Sequence, residues 1–320
     1  MRKTTTKLAV MASLCLIALA PASASALNIL LTNDDGFDAP GITVLRDALL
    51  AAGHQVTVVA PAENQSGTGG SINTDALNFT PGEGLMLLIN YGGGVFSLAG
   101  TPADSVKAGL DIVMRDNPPD LVVSGCNFGQ NLGKPTANTS GTEGAALRAA
   151  FSGFPGIACS VGISFSEAGD DFPSTIAALA PAADFMVRAI DSLVDKNGIQ
   201  VLPKKTAVLN INFPVPYEDI RGVKITKLGE GSDIELPLFD PSEGFPQLGV
   251  PPLPFPSCAD AIATPGGVCF AAVGVGFSPP ESIKTDVGAH QNDYISITPY
   301  SADMTGPDNG ISGALKQLDP

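Results

Sequence analysis

Tryptophan is absent from the 320-residue sequence, histidine occurs only twice, and 17 basic residues stand against 32 acidic ones. Two histidines are too few for a histidine-rich metal centre. The net charge of −15 argues against broad contact with nucleic acid or with an anionic membrane, because both need a basic protein surface. Aromatic residues make up only 6% of the chain, too few for base-stacking platforms. We therefore expect neither nucleic acid nor a membrane as a partner.

Apolar residues, by contrast, are plentiful. They make up 44% of the chain, and only 15% of its residues are charged. The 36 glycines and 27 prolines show no collagen-like period. This composition excludes the disordered and fibrous classes, and the length allows one large domain or two modest ones.

Residues 1–26 have the pattern of a secretory signal peptide. Three basic residues stand within the first seven positions, residues 8–20 are apolar, and Ala24-Ser25-Ala26 is a small-residue cleavage site. The apolar stretch is too short to span a bilayer. We therefore expect cleavage near Ala26 and an exported protein, periplasmic or extracellular. A non-cleaved anchor is the alternative.

Export would permit disulfides among the four remaining cysteines. Cys258 and Cys269 flank a short segment with proline and glycine, which favours a local disulfide between them. Cys126 and Cys159 lie in or beside apolar runs, and we expect both to be buried thiols. No Cys-x-x-Cys pair occurs, so neither a zinc ribbon nor a thioredoxin-type site is supported.

Strand and helix patterns alternate over about 200 residues. Apolar runs predict strands at 28–32, 55–60, 120–124, 156–161, 207–211 and 223–227, and helical spacing predicts helices starting at Pro40 and over 103–114, 142–151 and 176–194. A glycine- and asparagine-rich loop is expected over 125–139. This alternation predicts an α/β fold in three αβα layers around a doubly wound, mostly parallel sheet.

The composition of the sequence changes after about Gly229. Proline and glycine are dense over 237–280, and strand character returns only at 294–298. We therefore expect a core domain over 27–228 and a second region over 229–320. That region would combine a Pro/Gly-rich insertion with an extended C-terminal β arm packed on the core.

Two further sequence features are interpreted as structural and not as parts of a functional site. Gly100-Thr101-Pro102 is typical of a helix start, with Thr101 as the N-cap and the proline in the first turn, although a second loop near the site is the alternative. His54 lies between the first helix and the second strand, where we expect it to be exposed.

Polar loops follow three of the predicted strands. The first loop contains Asp34 and Asp35, the second contains Ser66, and the third contains Asn127 and Asn131. The carboxyl ends of parallel strands share one edge of the sheet, so these loops should converge. Two adjacent carboxylates repel each other, and a hard cation would offset that cost with an all-oxygen ligand set suited to Mg²⁺, Mn²⁺ or Ca²⁺. The alternative is that Asp-Asp-Gly only forms a turn.

Five sequence blocks carry a family resemblance. They read, in order, ILLTNDDGFDAPGI, VTVVAPAENQSGTGGSI, GTPADSVKAGL, PDLVVSGCNFGQNLG and SGTEGAA. Over roughly residues 28–165 they resemble the SurE family of metal-dependent 5′/3′-nucleotidases and acid phosphatases, and a weaker match covers about 285–305. The resemblance implies a Rossmann-like core, one divalent cation, phosphomonoester substrates, and homodimers or homotetramers assembled through C-terminal arms.

The resemblance also implies residue roles. The cation ligands would be Asp34, Asp35, Ser66 and Asn127. The phosphate contacts would be Asn131, Ser140, Gly141 and Thr142. A helix N-terminus suits an anion, which supports the second set, but Ser140-x-x-Glu143 is also a capping box. We expect the phosphate role to dominate.

The expected reaction is hydrolysis of nucleoside 5′- or 3′-monophosphates. One of Asp34 and Asp35 would be a ligand only, and the other either a general base toward water or a nucleophile. We favour attack by water, with Asp34 as the closer participant. Two rival functions use the same residues: an exported protein that binds a phosphorylated ligand without turnover, and an interaction protein with a structural metal site.

Overall fold

The computed structural model describes residues 26–74, 85–167, 169–194, 202, 207–232, 238–239, 271–272 and 279–303. The predicted signal peptide up to residue 25 and the predicted Cys258–Cys269 disulfide lie outside the described residues. Within these residues, no helix is both long enough and apolar enough to cross a bilayer.

The described chain contains eleven named strands and six named helices. The strands are β1 Asn28–Thr32, β2 Gln55–Pro61, β3 Leu88–Gly92, β4 Val95–Leu98, β5 Leu121–Phe128, β6 Gly156–Val161, β7 Ala207–Phe213, β8 Gly222–Ile225, β9 Leu238–Phe239, β10 Ala271–Ala272 and β11 Tyr294–Ser301. The helices are α1 Pro40–Ala51, α2 Pro102–Ala108, α3 Gly133–Thr139, α4 Gly141–Phe151, α5 Pro173–Ser192 and α6 Asp286–His290. A π-helical turn, Gly109–Val113, extends α2.

Nine strands form one sheet in the order β3-β4-β2-β1-β5-β6-β7-β11-β8. The six strands from β4 to β7 run parallel, whereas β3 is antiparallel to β4 and β11 is antiparallel to β7. β9 and β10 form a separate antiparallel pair. The predicted mostly parallel α/β sheet is confirmed.

Helices cover both faces of the sheet because side chains alternate along each buried strand. Ile29 and Leu31 of β1 face the core that α1 and α5 cover. Leu30, between them, faces the opposite core with α2 and α4. The three-layer arrangement therefore follows from strands that are apolar on both sides.

Local sequence signals explain where the helices begin and end. Pro40 occupies the first turn of α1, and Gly53 follows its end in a left-handed conformation at φ +93°. Thr101 caps α2 as predicted: its hydroxyl accepts from Asp104 N, and the Asp104 carboxylate accepts from Thr101 N. The helix-start interpretation of this segment is confirmed.

The secondary structure differs from the prediction in three ways. The segment 125–139 is not one loop, because β5 continues to Phe128 and α3 begins at Gly133. The β3–β4 hairpin was not predicted. The strand at Tyr294–Ser301 lies inside the main sheet between β7 and β8, so it belongs with the core and not with an arm.

Two side-chain predictions are wrong. His54 is only 5% exposed, and its Nδ1 accepts a hydrogen bond from Leu27 N at 3.2 Å, because α1 returns the chain to the start of β1. Cys126 and Cys159 are buried as expected, but they are joined in a disulfide and are not thiols. Adjacent strands β5 and β6 bring their Cα atoms to 4.7 Å, within the range that a disulfide spans.

Candidate active site

The three polar loops meet at the carboxyl edge of the sheet. β1 lies between β2 and β5, so the loops that follow these strands are neighbours. Gln65 N donates to the carbonyl oxygen of Asp34 at 2.7 Å, and Phe128 N donates to Asp35 Oδ2 at 3.0 Å. The convergence predicted from the sequence is therefore present, with the loop after β1 in contact with both others.

Asp34 is held by the first turn of α4. Thr142 donates to it twice, from its N–H to Oδ2 at 3.1 Å and from its hydroxyl to Oδ1 at 2.7 Å. Gly141 permits this approach, because a Cβ at that position would lie 2.8 Å from Asp34 Cβ and Oδ2. The side chain is 3% exposed. Burial raises the pKa of Asp34, and the Thr142 hydrogen bonds offset part of that rise.

Asp35 lies beside Asp34 and is partly buried. Burial raises the pKa of Asp35 to about 6, the hydrogen bond from Phe128 N lowers it, and the neighbouring Asp34 charge raises it. Two carboxyl groups with raised pKa values thus share one edge of the sheet. Within the described residues, neither forms an ion pair with a lysine, arginine or histidine.

Asn127 and Ser66 complete the predicted ligand set. The Asn127 amide is 8% exposed, and its Nδ2 donates to Gly129 O at 2.7 Å. That bond fixes the orientation of the amide and leaves Oδ1 without a donor among the described residues. Ser66 is exposed on a turn in which its N–H donates to Asn64 Oδ1 at 2.9 Å.

These side chains fit a hard divalent cation. They supply carboxylate, hydroxyl and amide oxygens, and the adjacent Asp34 and Asp35 carboxylates gain most from a positive charge. The described residues contain no group of three or more His, Cys, Asp or Glu side chains able to hold a metal ion. That finding agrees with a ligand set in which only two members are acidic.

The predicted phosphate contacts each have a protein partner. Ser140 Oγ accepts from Glu143 N at 3.1 Å and is the N-cap of α4, but the predicted capping box is incomplete, because Ser140 N donates to Thr136 O and not to the Glu143 carboxyl group. Thr142 is engaged by Asp34 as described above. Asn131 Nδ2 donates to Ser160 Oγ at 2.9 Å. Their phosphate roles stay predictions.

Two asparagines that the sequence analysis missed support Asn131. Asn212 Oδ1 accepts from Asn131 N at 2.7 Å, and the Nδ2 groups of Asn210 and Asn212 each donate to Asn131 O at 2.8 Å. Both lie fully buried on β7. The sequence contains a pattern that indicates this polar face, because the two asparagines in the apolar run AVLNINF are two residues apart and therefore share one face of the strand.

Asp286 supports the same loop from the C-terminal part of the chain. Its Oδ2 accepts from Gly133 N at 3.1 Å and its Oδ1 from Gly229 N at 2.6 Å. Burial raises the pKa of Asp286, and these hydrogen bonds lower it. Asp286 lies in the weaker sequence block, where no local pattern indicated this role.

Comparison with known proteins agrees with this geometry. A family model described as "Survival protein SurE" matches residues 29–234. The chain is 38% identical over 205 residues to "5'-nucleotidase SurE 1" of Burkholderia lata, covering 64% of this chain and 71% of the relative. It is 34% identical over 280 residues to "5'-nucleotidase SurE" of Xylella fastidiosa, covering 87% and 91%.

A solved structure has a similar fold. The crystal structure of the SurE protein from Aquifex aeolicus matches with a TM-score of 0.66 at 28% identity, covering 91% of this chain and all of that one. The family model covers the site residues described above except Asp286, which lies beyond residue 234. The chain belongs to the SurE family.

Proposed function

We propose that this protein is a phosphomonoesterase that hydrolyses nucleoside 5′- or 3′-monophosphates with the help of one divalent cation, Mg²⁺ or Mn²⁺, with Ca²⁺ as a further possibility. The observation that carries this proposal is the pair of adjacent carboxyl groups at the carboxyl edge of the sheet, buried at Asp34 and partly buried at Asp35. The relatives named 5′-nucleotidase support the same activity.

Asp34, Asp35, Ser66 and Asn127 would hold the cation. A bound cation supplies charge neutralisation at the phosphate oxygens and lowers the pKa of water. The protein's own contribution is rigidity: Thr142 fixes both oxygens of Asp34, and Phe128 N fixes one oxygen of Asp35. Fixed carboxylates need little reorganisation when charge develops in the transition state.

The first turn of α4 has one donor left for a phosphate. The N–H groups of Thr142, Glu143 and Gly144 already have protein acceptors. The Gly141 N–H interacts with the Asp34 carboxylate and lowers the pKa of Asp34, whereas the Ser140 hydroxyl, which accepts as the cap, keeps its own proton to donate. The Ser140 hydroxyl therefore supports the predicted phosphate contact at that residue, whereas Gly141 and Thr142 act through Asp34.

A cavity of about 530 Å³ beside the Ser66 loop supports a nucleoside as the rest of the substrate. Its lining includes apolar side chains, Ile72 and Leu98, and polar ones, Glu63, Gln65 and Thr101. Such a mixture suits the apolar faces and polar edges of a base and a sugar. Gln65 N donates to the backbone carbonyl oxygen of Asp34, which connects the cavity lining to the loop that carries the carboxylate pair.

Phosphate release from nucleoside 5′- and 3′-monophosphates and from p-nitrophenyl phosphate tests the proposal. We expect release with Mg²⁺ or Mn²⁺ and none with EDTA. Asp34→Asn should lower kcat on the order of 10²–10³-fold. Asp38→Asn, which removes an exposed carboxylate from the same loop, is the control and should keep wild-type activity. Ligand binding without release of phosphate would favour the non-catalytic binding protein instead.

We also propose that the protein is exported. The basic, apolar and small-residue pattern of residues 1–26 supports this, and so does a buried disulfide, since such bonds persist in oxidising compartments. N-terminal sequencing of the protein recovered from periplasm and medium would test it. A start near Leu27 is expected, and an intact Met1 on the recovered protein would contradict it.

Assembly into homodimers or homotetramers is proposed on the family resemblance. Light scattering during gel filtration measures the mass directly. A monomer at micromolar concentration would contradict the proposal.

A further inference from the structure

The Cys126–Cys159 disulfide lies directly beside a predicted cation ligand. β5 and β6 pair in register from Val122 to Ser124, and again from Asn127 onward. Between Ser124 and Asn127 the register shifts by one residue. Two residues of β5, Gly125 and Cys126, lie opposite the single residue Cys159 of β6. This is a β-bulge, a device that redirects the side chain that follows it.

Glycine is required in the bulge. Gly125 has φ +127°, and a Cβ there would lie 2.2 Å from the carbonyl oxygen of Cys159. The backbones of β5 and β6 are therefore pressed together at this point. The disulfide joins the same two segments through side chains that are 1% and 0% exposed.

The two residues that follow the bulge both belong to the predicted cation site or contact it. Asn127 is next in the chain, with its amide oriented by Gly129 O. Phe128 is the one after, and its N–H donates to Asp35. Cys126, Asn127 and Phe128 thus connect the disulfide to two predicted ligands without an intervening flexible segment.

The bond also encloses most of the remaining site. Its ends are 33 residues apart, and the chain between them contains Asn131, Ser140, Gly141 and Thr142. A cross-link at both ends of this stretch limits how far its loops can move relative to β1.

We propose that the Cys126–Cys159 disulfide is a positioning element for the cation site, holding Asn127 and, through Phe128, Asp35 in the geometry that binds the ion. The proposal rests on the proposed function, since it takes Asn127 as a ligand. It assigns the two cysteines no contact with substrate.

The test is Mn²⁺ affinity measured by calorimetry on the folded protein without substrate. Cys159→Ala breaks the bond and leaves the residue next to Asn127 unchanged. We expect its Kd for Mn²⁺ to rise about 10-fold or more, as when groups that orient a metal ligand are lost. Met186→Ala removes a buried side chain of the same core on α5 and is the control for general loss of packing. Its Kd should stay within about 3-fold of wild type.

The outcomes distinguish the positioning role of the disulfide from the proposed function. Wild-type affinity in Cys159→Ala, or an equal loss in Met186→Ala, overturns the positioning role and leaves the proposed function intact. A wild-type protein that binds no Mn²⁺ overturns both. If Cys159→Ala does not fold, Cys159→Val fills the vacated volume and takes its place. Peptide mapping of the wild type must recover the two cysteines joined, and recovery of both as free thiols also overturns the proposal.

Discussion

Glu143 is a buried carboxyl group one residue after Thr142, and it has no counterpart of opposite charge in the described structure. Burial raises the pKa of Glu143 to about 8; the Tyr300 hydroxyl lowers it, and the Asp286 carboxyl raises it further. Glu143 is therefore protonated in the folded protein at neutral pH and ionised in the unfolded chain. Its ionisation should couple folding to pH.

Glu143→Gln should remove that coupling. Between the ordinary pKa of 4.5 and about 8, the folded protein holds a proton that the unfolded chain has lost, so wild-type stability falls as pH rises. Relative to Glu143→Gln, the free energy of unfolding should fall by up to about 1.4 kcal/mol per pH unit in this window. Urea unfolding at several pH values measures it, with exposed Glu218→Gln as the control. Parallel pH profiles for wild type and Glu143→Gln would contradict the assignment.

Gly141→Ala tests the close approach of α4 to Asp34. The added Cβ would lie 2.8 Å from Asp34, whose oxygens are fixed by Thr142, so either the helix or the carboxylate must move. We expect Mn²⁺ affinity to fall about 10- to 100-fold. The same change at Gly70, where the nearest atom would be 3.9 Å away, should have little effect. Equal Mn²⁺ affinities in the two variants would exclude a steric role for Gly141.

At the scale of secondary-structure elements, sequence periodicity predicts the strands and helices that neighbouring residues determine. The predicted strands β1, β2, β5 and β6 and helices α1, α2, α4 and α5 are present because buried strands and capped helices leave patterns in neighbouring residues, whereas the β3–β4 hairpin and α3 were not predicted. The place of β11 between β7 and β8 could not be predicted, because strand order depends on distant pairing that no local pattern records. For the same reason, Cys159 gave no sign of its partner on the neighbouring strand.

The capping box of α2 connects that helix to the loop carrying Ser71 and Asn73. Asp104 Oδ2 accepts from Thr101 N at 3.0 Å and from Asn73 N at 2.9 Å. The Thr101 hydroxyl lies 3.0 Å from Asp104 Oδ2 and 2.7 Å from Ser71 O, and its single proton can be donated to Ser71 O. Asp104→Ala should destabilise the protein by about 1–3 kcal/mol, because the N–H groups of Thr101 and Asn73 lose this acceptor.

Chemical denaturation of Asp104→Ala measures this loss. Asp111→Ala removes only the exposed ion pair with Lys107 near the end of the same helix and should cost about 0.5 kcal/mol or less. Equal losses in the two variants would mean that the capping box contributes no more than a surface ion pair.

At the scale of the whole molecule, a net charge of −15 repels an anionic substrate at long range. Salt screens such repulsion beyond about 8–10 Å at ordinary ionic strength, and within the cleft the proposed cation and amide donors would act at contact distance. We expect kcat/KM to stay within about 2-fold between ~0.05 and ~0.3 M sodium chloride at fixed free Mn²⁺. A steep fall with added salt would mean that attractive steering, and not screened repulsion, governs encounter.

The site as a whole was predictable in its outline. Asp34, Asp35 and Asn127 could be brought together from the sequence because parallel strands end at one edge. The partners of the supporting residues could not be predicted, because Thr142 contacts Asp34 across 108 positions and Asn212 contacts Asn131 across 81, even where, as in β7, a polar strand face is visible in the sequence. Contacts between residues so far apart in the sequence form only in the folded chain, so no local pattern indicates them.

The far edge of the sheet depends on residues close to the end of the chain. β8 hydrogen-bonds to β11 within the described sheet, and β11 separates it from β7. During biosynthesis β7 therefore lacks its neighbour on this side until Tyr294–Ser301 has been translated. Since β7 supports Asn131, we expect a nonsense mutation ahead of Tyr294 to yield an aggregating product and not a shortened enzyme with residual turnover.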